Sequence, residues 1–349
     1  MSIILGIEST AHTFGIGIVK DGKILANVRE MYTTESGGIV PMDSAKHHKK
    51  IAKEVYLRAL KEANIKEKQI DAIAFSQGPG LPPCLIEGMK FAKALCQKLD
   101  RPLVPVNHCV AHLEIGKLTG AKDPVLLYVS GANTQVIAYA SGKYRVFGET
   151  LDIGVGNFID SFARYADMGF PGGPKIEKLA EQGDVLIELP YRVKGMDIAL
   201  SGILTNLKQK LESKSQKDTQ RAQEPALAGD SGESKYKLED LAFSLQETVF
   251  AMLVETAERA LAHVDKKELL LGGGVACNKR LVEMCKIMCK ERGAKLFVPE
   301  KPLLVDNGAM IAYLGEIMFK SGIKYFPVEL DKLDIKPRQR TDGVLVSWR

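Results

Sequence analysis

TFGIGIVKDGKILANVRE (residues 13–30) is a pair of apolar, β-branched runs joined at Asp21-Gly22. Asp-Gly between such runs predicts a tight hairpin, because the turn needs residues that tolerate positive φ. Just upstream, IILGIE (3–8) reads as a further buried strand, which completes a three-strand meander. The same grammar returns more than a hundred residues later. PVLLYVSG (124–131) and NTQVIAYA (133–140) are followed by Ser141-Gly142 and then KYRVFGE (143–149), and the turns VKDGKI and YASGKY align. Two meanders, each followed by helical pattern, predict a duplicated α/β architecture with a site between the halves.

Helical periodicity fills the intervals. From Ser44 onward, Ile51, Val55 and Ala59 recur every fourth residue, with Ala52, Tyr56 and Leu60 beside them. Residues 278–292 and 306–320 also read as helices, and Asp306 has the form of an N-cap for the second. Residues 212–235 are different. They contain no Ile, Val, Phe, Met or Tyr, so they cannot bury enough surface to offset their ordering entropy and are expected to form a flexible insertion.

Composition sets the outer limits. The chain has 349 residues, 45% hydrophobic and 26% charged, the balance of a globular protein with room for two domains. No apolar run has the length of a membrane span and the start has no secretory pattern, so the expected setting is the cytoplasm. None of the six cysteines forms a Cys-x-x-Cys pair, and Cys285 and Cys289 have helical spacing, which suits reduced core thiols. A formal charge of +5 permits a nucleic-acid partner without requiring one. Two basic runs, Lys46-His47-His48-Lys49-Lys50 and Lys336-Pro337-Arg338-Gln339-Arg340, read on charge alone as a solvated helix start and a loose tail.

The chemistry-bearing residues cluster. His108 and His112, in HCVAH, lie one helical turn apart and so share a face, a geometry for two metal ligands or for two hydrogen-bonded structural histidines. The zinc-protease pattern would place a Glu directly after the first His; here that residue is Cys109, and the general base is missing. Three glycine-bearing turns suit phosphate or nucleotide: Gly6-Ile7-Glu8-Ser9-Thr10, Val129-Ser130-Gly131-Ala132-Asn133-Thr134, and LLLGGGVACN (269–278). Asp160 and Glu177 flank the breaker Phe170-Pro171-Gly172-Gly173-Pro174 and could accept from ribose hydroxyls, or merely cap their helices. Asp306 gains interest as an oxygen ligand beside the two histidines.

GIEST, QGPG (77–80), NHCVAH, YVSGANTQ, FPGGPKIEKLA, GGGVACN and DNGAMIA occur in order, and the set resembles the TsaD family in its archaeal and eukaryotic branch, the catalytic subunit of KEOPS. The likeness extends over nearly the whole chain apart from 212–235. It implies the two-domain, actin-like α/β fold shared with sugar kinases and heat-shock ATPases, with a cleft between the halves. The expected domains are 1–123, onto which 306–349 packs back, and 124–305. It further implies transfer of a threonylcarbamoyl group from threonylcarbamoyl-adenylate to N6 of the adenosine beside the tRNA anticodon, with release of AMP. By motif, His108, His112 and Asp306 would be the catalytic metal ligands, with Tyr128 a further one. The metal would be Fe(II), with Zn(II) as the alternative. Tyr128, Val129, Ser130, Gly131 and Ala132 would meet the adenylate phosphate and acyl part, while Asp160, Gly173, Glu177 and Asn278 would hold the nucleoside. The implied partners are tRNA, ATP/AMP-like nucleotides, a small protein kinase and two small accessory proteins, with no membrane. In that setting the two basic runs become RNA or partner contacts.

Some positions depart from the resembled pattern: Ala132 replaces a second glycine, Pro82 stands where archaeal members carry Gly, the first motif reads ESTAHT, and Gln339 and Gly343 replace an aromatic and an acidic residue in the tail. Two other functions fit the fold class, an ATP-dependent kinase and a nucleotide-switched scaffold. A kinase would normally place Asp in the first phosphate turn, where this chain has Glu8, and neither function needs the His pair.

Overall fold

The structure, a computed structural model, describes residues 2–34, 38–213 and 235–349. The first meander is β1 (Ile3–Glu8), β2 (Thr13–Lys20) and β3 (Lys23–Met31), antiparallel throughout. Helix α1 (Pro41–Glu62) then leads to β4 (Ala72–Gly78), and α2 (Pro82–Leu99) to β5 (Leu103–Asn107). Both later strands add in parallel beside β1, giving the order β3-β2-β1-β4-β5. Helix α3 (His108–Gly116) follows without a break.

The second half repeats this path. Strands β6 (Val125–Val129), β7 (Thr134–Ala140) and β8 (Lys143–Glu149) form the meander. Helices α4 (Val155–Tyr165) and α5 (Gly173–Ala180), a small ribbon of β9 (Val193–Lys194) and β10 (Asp197–Ile198), α6 (Ser201–Glu212) and α7 (Leu238–His263) come next. Strand β11 (Glu268–Gly272), α8 (Lys279–Glu291), β12 (Lys295–Phe297), the short α9 (Lys301–Leu304) and α10 (Gly308–Lys320) complete the core. The sheet order β12-β11-β6-β7-β8 reproduces the first sheet strand for strand. Even the hairpin turns coincide: Asp21 and Gly22 have φ 47° and 77°, Ser141 and Gly142 φ 51° and 77°. That is the left-handed geometry the turn residues were read to need.

Three cores result. One joins the first sheet to α1 and α2, another joins the second sheet to α4 and α7, and the third lies between the sheets around α3 and α10. Helix α3 is buried along its entire length, which is why its sequence shows almost no polar face. Helix α10 lies directly on β1 and β2. A Cβ added to Gly17 would fall 2.1 Å from the Ala309 nitrogen, and one on Gly6 2.2 Å from that of Ala312. Glycine is required at both because backbone meets backbone there.

Several local expectations need refinement. Asn307, not Asp306, caps α10, its side chain accepting from the Met310 N–H at 3.0 Å, so the Asp306 carboxylate is left for other partners. Pro82 occupies the first turn of α2, where no backbone N–H is needed, so it fits without cost. The expected insertion at 212–235 lies, between 214 and 234, outside the described residues; its ends meet where the Lys235 N–H donates to the Ser213 carbonyl at 2.9 Å. The C-terminal segment, read on charge as a loose tail, is strapped down. Its Lys336 N–H donates to the Gln77 carbonyl, Asn107 Nδ2 donates to Gln339, and Arg349 stacks 4.3 Å from the Tyr139 ring. All six cysteines are free, and Cys285 and Cys289 are buried on α8. No described helix is long and apolar enough to cross a membrane.

Candidate metal and nucleotide site

β5 delivers the chain to Asn107, whose side chain caps α3 by accepting from the Val110 N–H. The first residue inside that helix is His108, and His112 lies one turn on. Their rings stand edge to face at 4.8 Å, both nearly fully buried. Asp306, on the turn entering α10, faces them: its Oδ1 lies 3.4 Å from Nε2 of His108 and 3.4 Å from Nε2 of His112. One ligand atom from each of the three residues falls within a 4.8 Å cluster. Two imidazole nitrogens aimed at one carboxylate oxygen, at the long end of the hydrogen-bond range, form a donor set that could take a cation among them. Nδ1 of His112 is buried without a partner, so the ring's one hydrogen-bonding contact is the 3.4 Å approach of its Nε2 to Asp306. The donor set, two imidazoles and a carboxylate, suits iron or zinc.

Glu8, at the end of β1, supplies what the histidine reading did not include. Its Oε2 lies 2.9 Å from Nδ1 of His108, while its Oε1 accepts from the Thr10 N–H at 2.7 Å and from the Thr10 hydroxyl. A carboxylate on Nδ1 fixes the ring and turns Nε2 toward the cluster, the usual support of a ligating histidine. Tyr128, at the end of β6 and fully buried, brings its hydroxyl to 3.0 Å from the same Nε2. Burial pushes the Tyr128 phenol well above its ordinary range, so it stays a neutral donor. Burial also works against a charged His108, yet the Tyr128 oxygen, Glu8 and Asp306 together raise its pKa well above the ordinary value. His112 moves the other way, lowered by burial against the pull of Asp306. Burial opposes the Asp306 anion as well, but His108 and His112 hold its pKa well below the usual range. The centre therefore favours positive charge, as a proton on His108 or as a metal ion.

The other expected residues, Val129 to Ala132, Asp160, Gly173, Glu177 and Asn278, all lie on elements of the second half of the chain. Ser130, Gly131 and Ala132 shape an open turn in which the Ser130 N–H donates to the Asn133 carbonyl at 2.8 Å, with Gly131 and Ala132 exposed. Val129 turns its side chain wholly into the core, leaving only its backbone at the turn. Gly273 packs directly on it: with φ +90°, an added Cβ would lie 2.3 Å from the Val129 carbonyl oxygen. Non-glycine residues at positive φ among those described do not include Ala132, so its methyl introduces no backbone strain.

Asp160, on α4, accepts from the Gly172 N–H at 2.8 Å. Burial raises its pKa, while the Gly172 and Gly173 amides, His12 and Arg164 oppose that rise. Gly173 opens α5 with space where a side chain would be. Glu177, on the same helix, accepts from the Lys279 N–H at 2.8 Å and so stands beside Asn278. Asn278 itself is engaged: it caps α8 through the Arg280 and Leu281 amides and donates to Gln246 at 2.8 Å. The basic runs are likewise partly occupied. Lys46 pairs with Asp43, His48 is buried, and Arg340 pairs with Asp342 and Glu149.

Comparison with known proteins gives a consistent result. The family profile described as TsaD, tRNA N6-adenosine threonylcarbamoyltransferase, matches residues 23–313. A protein of Thermococcus sibiricus carrying that same description is 53% identical over 346 residues, covering 99% of this chain and 100% of that one. A probable tRNA N6-adenosine threonylcarbamoyltransferase of Drosophila melanogaster is 47% identical over 354 residues, covering 100% and 99%. A probable bifunctional tRNA threonylcarbamoyladenosine biosynthesis protein of Methanosarcina barkeri is 50% identical over 351 residues, covering 99% of this chain and 60% of that longer protein. Among solved structures, HypF of T. kodakarensis aligns with a TM-score of 0.60 at 14% identity, over 92% of this chain and 48% of its own. An activator of 2-hydroxyisocaproyl-CoA dehydratase from Clostridium difficile, with bound ADPNP, aligns at 0.51 and 10% identity, over 93% and 99%. These two likenesses concern the fold, which is the two-domain actin-like one.

Proposed function

The chain belongs to the TsaD family of tRNA N6-adenosine threonylcarbamoyltransferases, and from that premise we propose how its own residues carry the reaction. It is a transferase that makes threonylcarbamoyladenosine on tRNA, adding the threonylcarbamoyl group to N6 of the adenosine beside the anticodon. The donor in our reading is threonylcarbamoyl-adenylate, and AMP is the leaving group. His108, His112 and Asp306 would hold one divalent metal, iron or zinc, with Tyr128 a further ligand. Bound there, the metal supplies Lewis acidity toward phosphate and carbonyl oxygens.

The chain's own groups do the rest. Glu8 keeps His108 oriented through Nδ1. The turn from Ser130 to Ala132 presents backbone and small side chains to the phosphate and acyl part. Asp160, Gly173 and Glu177 meet the nucleoside, and Asn278 holds the end of α8 beside them. Residues 1–123 with 306–349 form one domain and 124–305 the other, so the metal ligands and the phosphate turn face each other across the cleft. We place the protein in the cytoplasm, sharing tRNA with a small protein kinase and two small accessory proteins.

The observation that carries this reading is the convergence of both Nε2 atoms on Asp306 Oδ1, supported from behind by Glu8. Metal content and product formation on tRNA, measured for wild type and His108→Ala, test it. Wild type should retain one iron or zinc per chain and form product, and His108→Ala should lose both, turnover falling at least about 100-fold. Full turnover in a metal-free His108→Ala protein would sink the metal assignment while leaving the transferase itself intact.

A further inference from the structure

The activity requires an adenine from an RNA loop to reach the cleft, and nothing described so far receives that base. Single-stranded bases are held chiefly by stacking on aromatic or imidazole rings, with cations nearby for the phosphates. One place at the cleft offers both. His12 lies on the turn after β1, two residues beyond Thr10, which touches Glu8 and His108. Its backbone is pinned by the Tyr32 N–H, which donates to the His12 carbonyl at 2.8 Å. Phe170 comes from the opposite half, two residues before Gly172, whose amide holds Asp160. The two rings meet edge to face with centroids 5.7 Å apart, and both residues are only half-buried.

Between them they bridge the two halves next to the metal cluster on one side and the nucleoside group on the other. Arg164, on α4, adds the cation. It is exposed, its guanidinium accompanies the neutral Ser161 hydroxyl at 3.0 Å, and it makes no ion pair among the described residues. It also reaches across the cleft, since a Cβ added to Gly38 would lie 3.3 Å from its Nη1.

We infer that His12 and Phe170 form the platform on which the acceptor adenine stacks, with Arg164 taking an adjoining backbone phosphate. This rests on the transferase reading above. The edge-to-face contact is one a flat base can open by sliding over the Phe170 face, at the loss of a single ring contact. An adenine held there lies between the group that binds the donor nucleoside and the turn that leads to Glu8. The platform discriminates an unstacked loop base from a paired one, because only the former can present a free face to the ring.

The test uses full-length, metal-loaded protein in the reconstituted transfer assay, with tRNA as the varied substrate. A second readout is an anticodon stem-loop carrying 2-aminopurine at the acceptor position. Stacking in wild type should quench the 2-aminopurine fluorescence on binding. Phe170→Ala should abolish that quenching and raise KM for tRNA about tenfold, the scale of one lost base stack. Phe170→Tyr should restore both. AMP affinity, measured by calorimetry on the same proteins, should stay within about twofold of wild type. If Phe170→Ala weakens AMP binding while KM for tRNA and the quenching stay as in wild type, the pair closes the donor pocket and the inference is wrong. Should Phe170→Ala fail to fold, His12→Ala carries the same two readouts, and unchanged KM and quenching there overturn the inference equally. Wild-type turnover in the same assay checks the transferase reading separately, so failure of the one is not mistaken for failure of the other.

Discussion

The decisive contact at the residue scale is the one between Glu8 and His108. A ligating histidine held through its second nitrogen loses affinity for metal when that support is weakened, commonly by 10- to 100-fold. Glu8→Gln keeps the shape and an accepting oxygen but removes the charge, so an effect near about tenfold is expected. Competition against a chelator of known affinity measures it, and an unchanged affinity would show that the ring is held by packing alone. This contact was not legible in the sequence. In the sequence Glu8 reads as part of a phosphate turn and as a replacement for a kinase-type Asp, whereas its partner lies 100 residues away and is brought near by the β1-β4-β5 pairing. His108 and His112 were legible because one helical turn relates them and the sequence shows that spacing directly. Asn278 illustrates the opposite difficulty. An Asn at a strand-to-helix turn can face a ligand or cap the helix, the same residue serves both, and only the Arg280 and Leu281 amides reveal the cap.

Elements were legible where their turns are local. Asp-Gly and Ser-Gly announced both hairpins, and the aligned turns announced the duplication before any strand pairing was known. Helix α1 was found from its apolar spacing, but the fate of its basic start was not. His48 belongs to the buried face of that helix and packs against Phe14, with ring centroids 5.5 Å apart. Burial lowers its pKa to about 4. A histidine depressed in the folded state takes up its proton more readily once unfolded. The stability it lends is therefore complete above about pH 6.5 and drains away as pH falls from there toward 4. The full swing corresponds to about 3 kcal/mol. Urea unfolding at pH 7 and pH 4.5 should show wild type losing more stability than His48→Gln over that interval. Equal losses in the two proteins would mean that the ring titrates normally.

The whole molecule is two copies of one sheet plan joined through α3 and α10, with the C-terminal strap laid across both. The join depends on glycine. Gly17→Ala would drive a methyl into the backbone of Ala309, a contact that no side-chain movement relieves. The expected cost is about 3 kcal/mol or more, read from the urea midpoint, with both metal content and activity falling as α10 is displaced. A variant as stable as wild type would mean that α10 can shift on the sheet. Because α10 is seated so tightly, Asp306 has a fixed mount, and α3 packs against the same helix with both histidines. Tyr128 and the turn to Ala132 belong to the other sheet. Yet the Tyr128 ring packs 4.8 Å from that of His112 inside the core that joins the sheets, so the end of β6 acts as a keystone: a substitution that loosens either sheet there would disturb both histidines.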